Sequence, residues 1–209
     1  MERGRLEAFS DGVFAVAITL LVIDLAVPER GHGLLGRQLA SHWPSFAAYG
    51  VSFLTIGIIW VNHHGMFRNF AHVDRTLLFL NLLLLFFVVT IPFATAMMAA
   101  YLRDGGADAS LAAALYQGVF LGMSVAFGGL FLWSIKHGHM TVPLTGAAAR
   151  MAVVRFTIGI LAYAAAIGVA YFSAPVSLLV SLLVAMYYVF EQTPGRGPAP
   201  AGGEPRTGE

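Results

Sequence analysis

The 209-residue chain carries too little charge to cover a soluble domain, since 58% of its residues are hydrophobic and only 11% are charged. Soluble domains usually hold about 25% charged residues. The formal net charge of +1 argues against a nucleic-acid-binding protein, and the lack of cysteine excludes disulfides and thiolate sites. We therefore expect an all-α integral membrane protein whose surface mostly faces the lipid bilayer.

Six apolar stretches are long enough to cross the hydrocarbon core, which takes roughly 20 residues in a helix. They are continuous rather than alternating, which favours helices over barrel strands. In chain order, they cover residues 6–27, 44–60, 77–101, 110–135, 151–171 and 174–190. The sequence predicts a single membrane domain of six transmembrane helices, 1–192. It is followed by a proline- and glycine-rich tail, 193–209, which we expect to be disordered in the cytoplasm.

Local signals refine the limits of these helices. Asp74 is a suitable N-cap for the third span, and Pro92 predicts a kink within it. Only Phe172 and Ser173 separate the last two spans, and Pro175 suits a first helical turn. The sequence therefore predicts a tight helical hairpin at the end of the membrane domain.

The distribution of basic residues predicts the orientation of the bundle. With both termini inside, the inner segments hold nine of the twelve lysines and arginines, and the outer loops hold Arg30, Arg37 and Arg103. Cytoplasmic loops usually carry the excess of Lys and Arg. We therefore expect an N-in, C-in topology.

One face of the first span is a ladder of apolar side chains with one hydroxyl. A period of 3.6 residues places the following residues near one face: Phe9, Gly12, Val16, Thr19, Leu20, Ile23 and Val27. Asp11 points to roughly the opposite side and needs a partner within the membrane boundary. By pattern alone, a face of this kind more often packs against other helices than lines a pathway.

The start of this span resembles a family signature. Arg5, three further residues and then Phe9-Ser10-Asp11 resemble the first-helix motif of the transmembrane protein 175 family. That family comprises the lysosomal potassium channels of animals and their bacterial homologues. Two segments look like the bacterial branch of the family: Gly12-Val13-Phe14-Ala15-Val16 and Trp60-Val61-Asn62-His63-His64. We expect the second of these segments to close the second span of this chain.

The resemblance implies a homotetramer in which the first helices line a central pore. Val16 would form the narrowest apolar ring, with Leu20 and Ile23 as further rings and Thr19 lining the pore beside them. Because valine is smaller than the isoleucine or leucine usual there, closure by Ile23 is an alternative. The family lacks the Thr-Val-Gly-Tyr-Gly filter of other potassium channels, and so does this chain.

Physical chemistry is consistent with that role. A narrow apolar ring offers an ion no ligands in place of the water molecules that it must lose. Such a ring therefore gates by dewetting and favours the ion that loses water most easily. The expected function is passive, moderately selective conduction of potassium ions across a bacterial cell membrane by a multi-pass homo-oligomer. A secondary transporter for a small cation is the alternative, although only Pro92 interrupts a span and it has no counterpart in a second half. The chain shows no enzyme motif, and we expect no cofactor other than the permeant ion.

The remaining polar residues suit helix packing better than ion contact. We expect a cluster that joins the signature residues Arg5, Ser10 and Asp11 to Trp60, Asn62 and either His63 or His64. The adjacent histidines point about 100° apart and cannot share a metal, so no metal site is expected. Asp24 would lie at the outer mouth, where it concentrates cations or simply ends the helix before Pro28.

Overall fold

A computed structural model describes residues 3–25, 34–143 and 146–190, without the side chains of Asp24 and Phe190. These residues form seven α-helices and one 3-10 turn, Leu21–Asp24, that continues the first helix. The α-helices are α1 (Arg3–Leu20), α2 (Leu35–Ser41), α3 (Trp43–Arg68), α4 (Arg75–Tyr101), α5 (Gly106–Lys136), α6 (Gly146–Ala170) and α7 (Ala174–Phe190). The fold is therefore all-α, as predicted.

Five of the described helices are long and apolar enough to cross a membrane. They are α1 with its 3-10 extension, α3, α4, α5 and α6. The apolar helix α7 has 17 residues, which gives a length of about 26 Å at 1.5 Å per residue. The protein is therefore a helical membrane protein with five candidate spans and one shorter apolar helix.

The helices α4 and α5 form the centre of the bundle. On one side α1 packs against α3 and α4, and on the other α6 packs against α5 and α7. The α7 helix also contacts α3 and closes the bundle. Large side chains with almost no exposure fill the centre, among them Phe14, Ile91, Tyr116, Phe120 and Phe131.

Buried polar side chains in the core bond to one another across helices. Ser52 of α3 lies 2.7 Å from the Thr95 hydroxyl of α4 and 2.9 Å from the Tyr116 hydroxyl of α5. In a second group, Gln117 of α5 donates to Ser177 and accepts from Ser181, both on α7. Because buried polar groups are costly without partners, these bonds fix the relative rotation of the helices.

One end of the bundle, which we call the basic end, gathers the connections α3–α4 and α5–α6. Phe70 and Met140 form an isolated antiparallel bridge, and the Arg3 guanidinium donates to the Phe70 carbonyl at 2.9 Å. The Asp74 side chain accepts from the Leu77 amide at 2.7 Å, which confirms the predicted N-cap. The basic end therefore ties three separate parts of the chain together.

The structure differs from the sequence prediction at two places. The short helix α2 in the first long connection was not predicted. The prediction that the second span closes at Trp60–His64 is wrong, because α3 continues to Arg68 and holds that segment in its interior. The predicted hairpin lies between the end of α6 at Ala170 and the start of α7 at Ala174. The predicted tail, 193–209, lies outside the described residues.

Candidate functional site

One face of α1 stays uncovered in the single chain. Its large apolar side chains are 41–72% exposed and follow the i, i+3, i+4 spacing of a helix face. We call this face the α1 stripe and define it by Phe9, Gly12, Val16, Thr19, Leu20 and Ile23. The most exposed of these large side chains is Ile23, at 72%, near the end opposite the basic end. Val27, the last residue of the predicted stripe, lies outside the described residues.

Thr19 is the hydroxyl residue of the stripe, and its hydrogen already has an acceptor. The Thr19 Oγ1 donates to the Val16 carbonyl of the preceding turn at 2.9 Å. A hydroxyl has one hydrogen and two acceptor lone pairs. The bond to Val16 therefore leaves Thr19 as an oxygen acceptor on the exposed side of the helix.

The opposite face of α1 is held by a buried triad, which we define as Ser10, Asn81 and His63. The Asn81 side chain donates to Ser10 Oγ at 3.0 Å, and its carbonyl oxygen lies 2.8 Å from His63 Nε2. All three side chains are fully buried. Because Asn81 uses its amide hydrogen on Ser10, its oxygen accepts from His63. The triad thus joins α1, α3 and α4 by side-chain hydrogen bonds.

Aromatic rings enclose this triad. The His63 ring stacks on Phe67 with centroids 4.1 Å apart, and the centroid of the Phe14 ring lies 5.3 Å from that of His63. Phe14 is 1% exposed. The rings keep water away from the hydrogen bonds, which strengthens them and makes an unpaired group costly there.

The predicted polar cluster divides into separate contacts. The Trp60 indole donates to Asp11 Oδ1 at 2.9 Å, as expected, and His64 Nδ1 lies 3.0 Å from Glu7 Oε1. The Trp60 and His64 ring centroids are 6.2 Å apart, so Asp11, Trp60 and His64 adjoin one another. His63 and Asn62 do not share these contacts, because His63 bonds Asn81 and Asn62 bonds the Ile58 carbonyl. The pairing of Glu7 with His64 was missed, although an acid near a histidine at the same depth could have indicated it.

Two further predicted residues lie apart from these contacts. Asn62 donates to the Ile58 carbonyl of its own helix at 2.9 Å and faces away from α1, towards α5 and α6. Arg5 is exposed at the basic end. Successive residues of a helix point about 100° apart, so Asn62 and His63 reach different neighbours.

The other predicted site features concern cations. The backbone of Asp24 ends the 3-10 turn, and its side chain lies outside the described part of the structure. Within residues 3–25, 34–143 and 146–190, no group of three or more His, Asp or Glu side chains is placed to hold a metal ion.

One histidine and one tryptophan of the basic end contact Asp74. Asp74 Oδ2 accepts from the Trp133 indole at 3.0 Å and lies 3.1 Å from His139 Nε2. Burial alone would raise the pKa of this carboxyl, but the bonds from Leu77, Trp133 and His139 outweigh burial and hold its pKa below the ordinary value. Asp74 therefore stays ionised and links the start of α4 to the end of α5.

Comparisons with known proteins agree with the motif at the start of α1. The family model described as endosomal/lysosomal potassium channel TMEM175 matches residues 5–92, which include the stripe and the buried triad. A potassium channel of Streptomyces collinus is 50% identical over 195 residues, covering 92% of this chain and 94% of that protein.

More distant relatives include an animal protein and a solved structure. The human endosomal/lysosomal proton channel TMEM175 is 37% identical over 113 residues, which cover 50% of this chain and 22% of that protein. The crystal structure of a lysosomal potassium-selective channel TMEM175 homologue from Chamaesiphon minutus is 35% identical and superposes with a TM-score of 0.79. The match covers 90% of this chain and 97% of that chain. The chain therefore belongs to the TMEM175 family, which is a family of channels and not of enzymes.

Proposed function

We propose that this protein is the subunit of a passive potassium channel in which the α1 stripe of several copies lines the conduction path. The observation that carries the proposal is the stripe itself, an exposed apolar face with one outward oxygen on a helix whose other face is fixed inside the subunit. The bacterial relative is named a potassium channel, and the solved relative is described as potassium-selective.

In this proposal four copies surround an axis, and α1, α3, α4, α5, α6 and α7 each cross the bacterial cell membrane. At about 26 Å, α7 approaches the roughly 30 Å of hydrocarbon that a span must cross. Described basic residues outside the spans concentrate at the basic end, with Arg103 and Arg37 at the other. By the positive-inside rule, the basic end and both termini face the cytoplasm.

The apolar rings would set the bottleneck for the ion. Val16, Leu20 and Ile23 of each copy would face the axis at successive levels. Their side chains offer no oxygen ligands, so an ion must lose part of its hydration without replacement. Potassium holds water less tightly than sodium, which gives moderate selectivity. Ile23 is larger than Val16, so the path is proposed to close at Ile23 as well as at Val16.

Thr19 would supply the oxygen that the rings lack. Four Thr19 side chains around an axis would present four acceptor oxygens, because each hydroxyl hydrogen is engaged by the Val16 carbonyl. A ring of oxygens partly replaces the hydration shell of a potassium ion. Asp24, at the far end of the stripe, is proposed to attract cations to the outer mouth.

Ion flux through the purified protein in liposomes tests this function. Fast, passive flux that favours potassium over sodium is expected, with selectivity reduced in Thr19→Ala and flux increased in Ile23→Asn because a polar ring no longer excludes water. If both variants conduct and select like the parent protein, the stripe does not line the path. Saturable flux that requires a second ion would instead identify a secondary transporter.

The absence of native cysteine allows a direct test of pore lining. Val16→Cys should react with a charged, water-soluble methanethiosulfonate reagent and lose potassium flux. Leu161→Cys on α6 is the matched control, since Leu161 is 63% exposed in the single chain but lies far from the stripe. Equal reactivity at both positions, or none at Val16, would place the stripe against lipid or protein.

A second cysteine pair tests the orientation. Arg37→Cys lies in α2, and Thr141→Cys lies in the α5–α6 connection at the basic end. An impermeant thiol reagent applied to intact cells should label only the variant at Arg37. Labelling only at Thr141 would reverse the proposed topology.

A further inference from the structure

Two connections of the chain are held together at the basic end by backbone hydrogen bonds. The Ala71 amide of the α3–α4 connection donates to the His139 carbonyl of the α5–α6 connection at 2.8 Å. Two residues further along each connection, the Thr141 amide donates to the Asn69 carbonyl at 2.7 Å. These bonds hold the start of α4 against the end of α5. We call this region the basic-end joint, which comprises residues 69–74 and 133–141.

Three histidines come together in the basic-end joint. The His139 side chain is 5% exposed. Its ring centroid lies 4.4 Å from that of His72 and 6.3 Å from that of His137, and both of these neighbours are exposed. Histidine is the side chain that ordinarily changes charge between about pH 5 and 8. A fall in pH through this range therefore adds positive charge to the joint.

The basic-end joint has little negative charge to balance such protons. Asp74 is its one acidic residue, and Asp74 Oδ2 lies 3.1 Å from His139 Nε2. The Glu7 carboxylate of α1 is already engaged, since it lies 3.0 Å from His64 Nδ1. The helices that meet at the basic end contribute further positive charge. It comes from Arg3, Arg68, Arg75, Lys136 and Arg150. One carboxylate of the joint therefore serves three titratable imidazoles.

One ring nitrogen of His139 has no partner in the closed joint. Because an ionised Asp74 can only accept, the hydrogen of the neutral imidazole lies on Nε2. His139 Nδ1 is buried and has no hydrogen-bond partner within the described parts of the chain. A hydrogen added to Nδ1 would be a buried donor without an acceptor, which is costly. That hydrogen gains an acceptor when the joint opens and admits water.

We propose that the basic-end joint is a pH-responsive contact that opens when the cytoplasm becomes acidic. The proposal rests on the proposed orientation, in which the basic end faces the cytoplasm. Near neutral pH the Asp74 carboxylate is held by N–H donors of Leu77, Trp133 and His139. In acid, this carboxylate balances one imidazolium, and the remaining positive charges of the joint repel one another. This repulsion and the unpartnered Nδ1 hydrogen both favour the open joint.

Arg3 connects the basic-end joint to the helix that carries the α1 stripe. Its guanidinium donates to the Phe70 carbonyl at 2.9 Å and lies 3.3 Å from the Arg68 carbonyl. Arg3 is the first residue of α1, and Phe70 is fully buried in the joint. When the joint opens, the inner end of α1 loses its contact with the Phe70 carbonyl. Arg3 is thus a positioning residue, and under the proposed channel function the opening of the joint changes potassium flux.

Hydrogen–deuterium exchange of the full-length protein in detergent tests the opening itself. Peptides that cover the two connections are followed at about pH 7.5 and about pH 5.5, with labelling times corrected for the intrinsic effect of pH on exchange. The double variant His72→Gln, His137→Gln removes two exposed titratable groups and leaves the contact of His139 with Asp74 in place. His42→Gln is the matched control, because His42 lies at the start of α3, at the other end of the bundle.

We expect exchange in the basic-end joint to be at least about tenfold faster at the lower pH in the parent protein and in His42→Gln, because opening exposes the bonded amides. The double variant should change by less than about twofold between the same pH values. Equal protection at both pH values in the parent, or the same acceleration in the double variant, would overturn the proposal.

Potassium flux in liposomes at the same two pH values tests the link through Arg3. Flux should differ by at least about twofold in the parent and be unchanged in Arg3→Ala, whose joint should still open by hydrogen exchange. Equal flux at both pH values in the parent, or flux that stays pH-dependent in Arg3→Ala, would overturn the role of Arg3. Exchange does not depend on conduction, so a failure of the joint and a failure of the proposed channel function are distinguished.

Discussion

The two faces of α1 differ in what completes them. Ser10, Phe14 and Ala17 are covered by α3 and α4 of the same chain, with hydrogen bonds and aromatic packing. The stripe on the other face has no comparable cover within the described residues. The buried face of the helix holds the subunit together, whereas the stripe is the face that we propose lines the ion path. Substitutions on the two faces should therefore fail in different ways.

The largest expected contrast is between two phenylalanines on opposite faces. Phe14→Ala should lower the free energy of unfolding by about 3 kcal/mol, because it leaves a cavity beside His63. Phe9→Ala should cost less than about 1 kcal/mol, because Phe9 is 51% exposed. Denaturant unfolding in detergent, followed by circular dichroism, measures both. Equal losses would mean that the stripe is also part of the subunit core.

The next effect concerns the buried triad. Asn81→Ala removes two hydrogen bonds and leaves His63 Nε2 without its acceptor, whereas Ser10 still donates to the Leu6 carbonyl; the loss should cost about 2 kcal/mol. Thr90→Ala is the control on the same helix, since Thr90 bonds only the Phe86 carbonyl one turn earlier. A control as destabilised as Asn81→Ala would show that α4 tolerates no substitution and that the triad has no special weight.

Two glycines of α5 test how tightly the core itself is filled. A Cβ at Gly122 would overlap the Phe87 ring of α4, whereas a Cβ at Gly118 would meet nothing within 4 Å. Gly122→Ala should therefore lower the free energy of unfolding by about 1–2 kcal/mol. Gly118→Ala should raise it by up to about 1 kcal/mol, because alanine favours helix. Thermal unfolding of the two variants measures this difference. A loss of stability in both variants would contradict a tight fit confined to Gly122.

Much of this architecture follows from the sequence, because long apolar runs bounded by polar loops leave the chain little choice. The period of α1 correctly grouped Phe9, Val16 and Ile23 on one exposed face. The end of α3 was misplaced because Asn62, His63 and His64 interrupt the apolar run. A polar residue can lie inside a membrane helix when its side chain has a hydrogen-bond partner. For His63 that partner is Asn81, which is 18 positions away in the sequence.

Side-chain pairing between helices was less predictable. Depth in the membrane suggested Trp60 with Asp11, which the structure shows, but it left His63 and His64 open as the histidine of that cluster; the structure gives His63 to Asn81 and puts His64 beside Trp60. Depth can be counted along a helix, whereas the rotation of one helix against another depends on packing of the whole bundle. The short helix α2 was missed because seven residues carry too little periodicity to predict a helix.

A smaller effect is expected at the cap of α4. Asp74→Ala removes the N-cap and the contacts with Trp133 and His139, and should cost about 1 kcal/mol at pH 7. Because folding lowers the pKa of Asp74, its contribution is present above the unfolded pKa of about 3.9 and is lost as pH falls through the folded value. The difference in stability from the parent should therefore shrink below about pH 4.

The exposed Asp104 provides the control for this pH dependence. Asp104→Ala in the α4–α5 turn should unfold like the parent protein at every pH, since that side chain is exposed. Melting temperatures at pH 3, 5 and 7 compare the two variants. A pH-independent deficit in Asp74→Ala would mean that the carboxylate charge contributes nothing.

The smallest effect on stability should accompany a large effect on conduction. Val16 is 55% exposed in the single chain, so Val16→Ala should change the free energy of unfolding by no more than about 0.5 kcal/mol. If Val16 forms a ring around the ion path, the smaller alanine widens that ring and reduces dewetting, so potassium flux should rise. Ala17→Gly is the neighbouring control, because Ala17 is fully buried and its loss should weaken the helix without changing the path. Stability loss at Val16 with unchanged flux would reverse the assignment of the two faces, since the stripe would then belong to the fold and the ion would have to pass elsewhere.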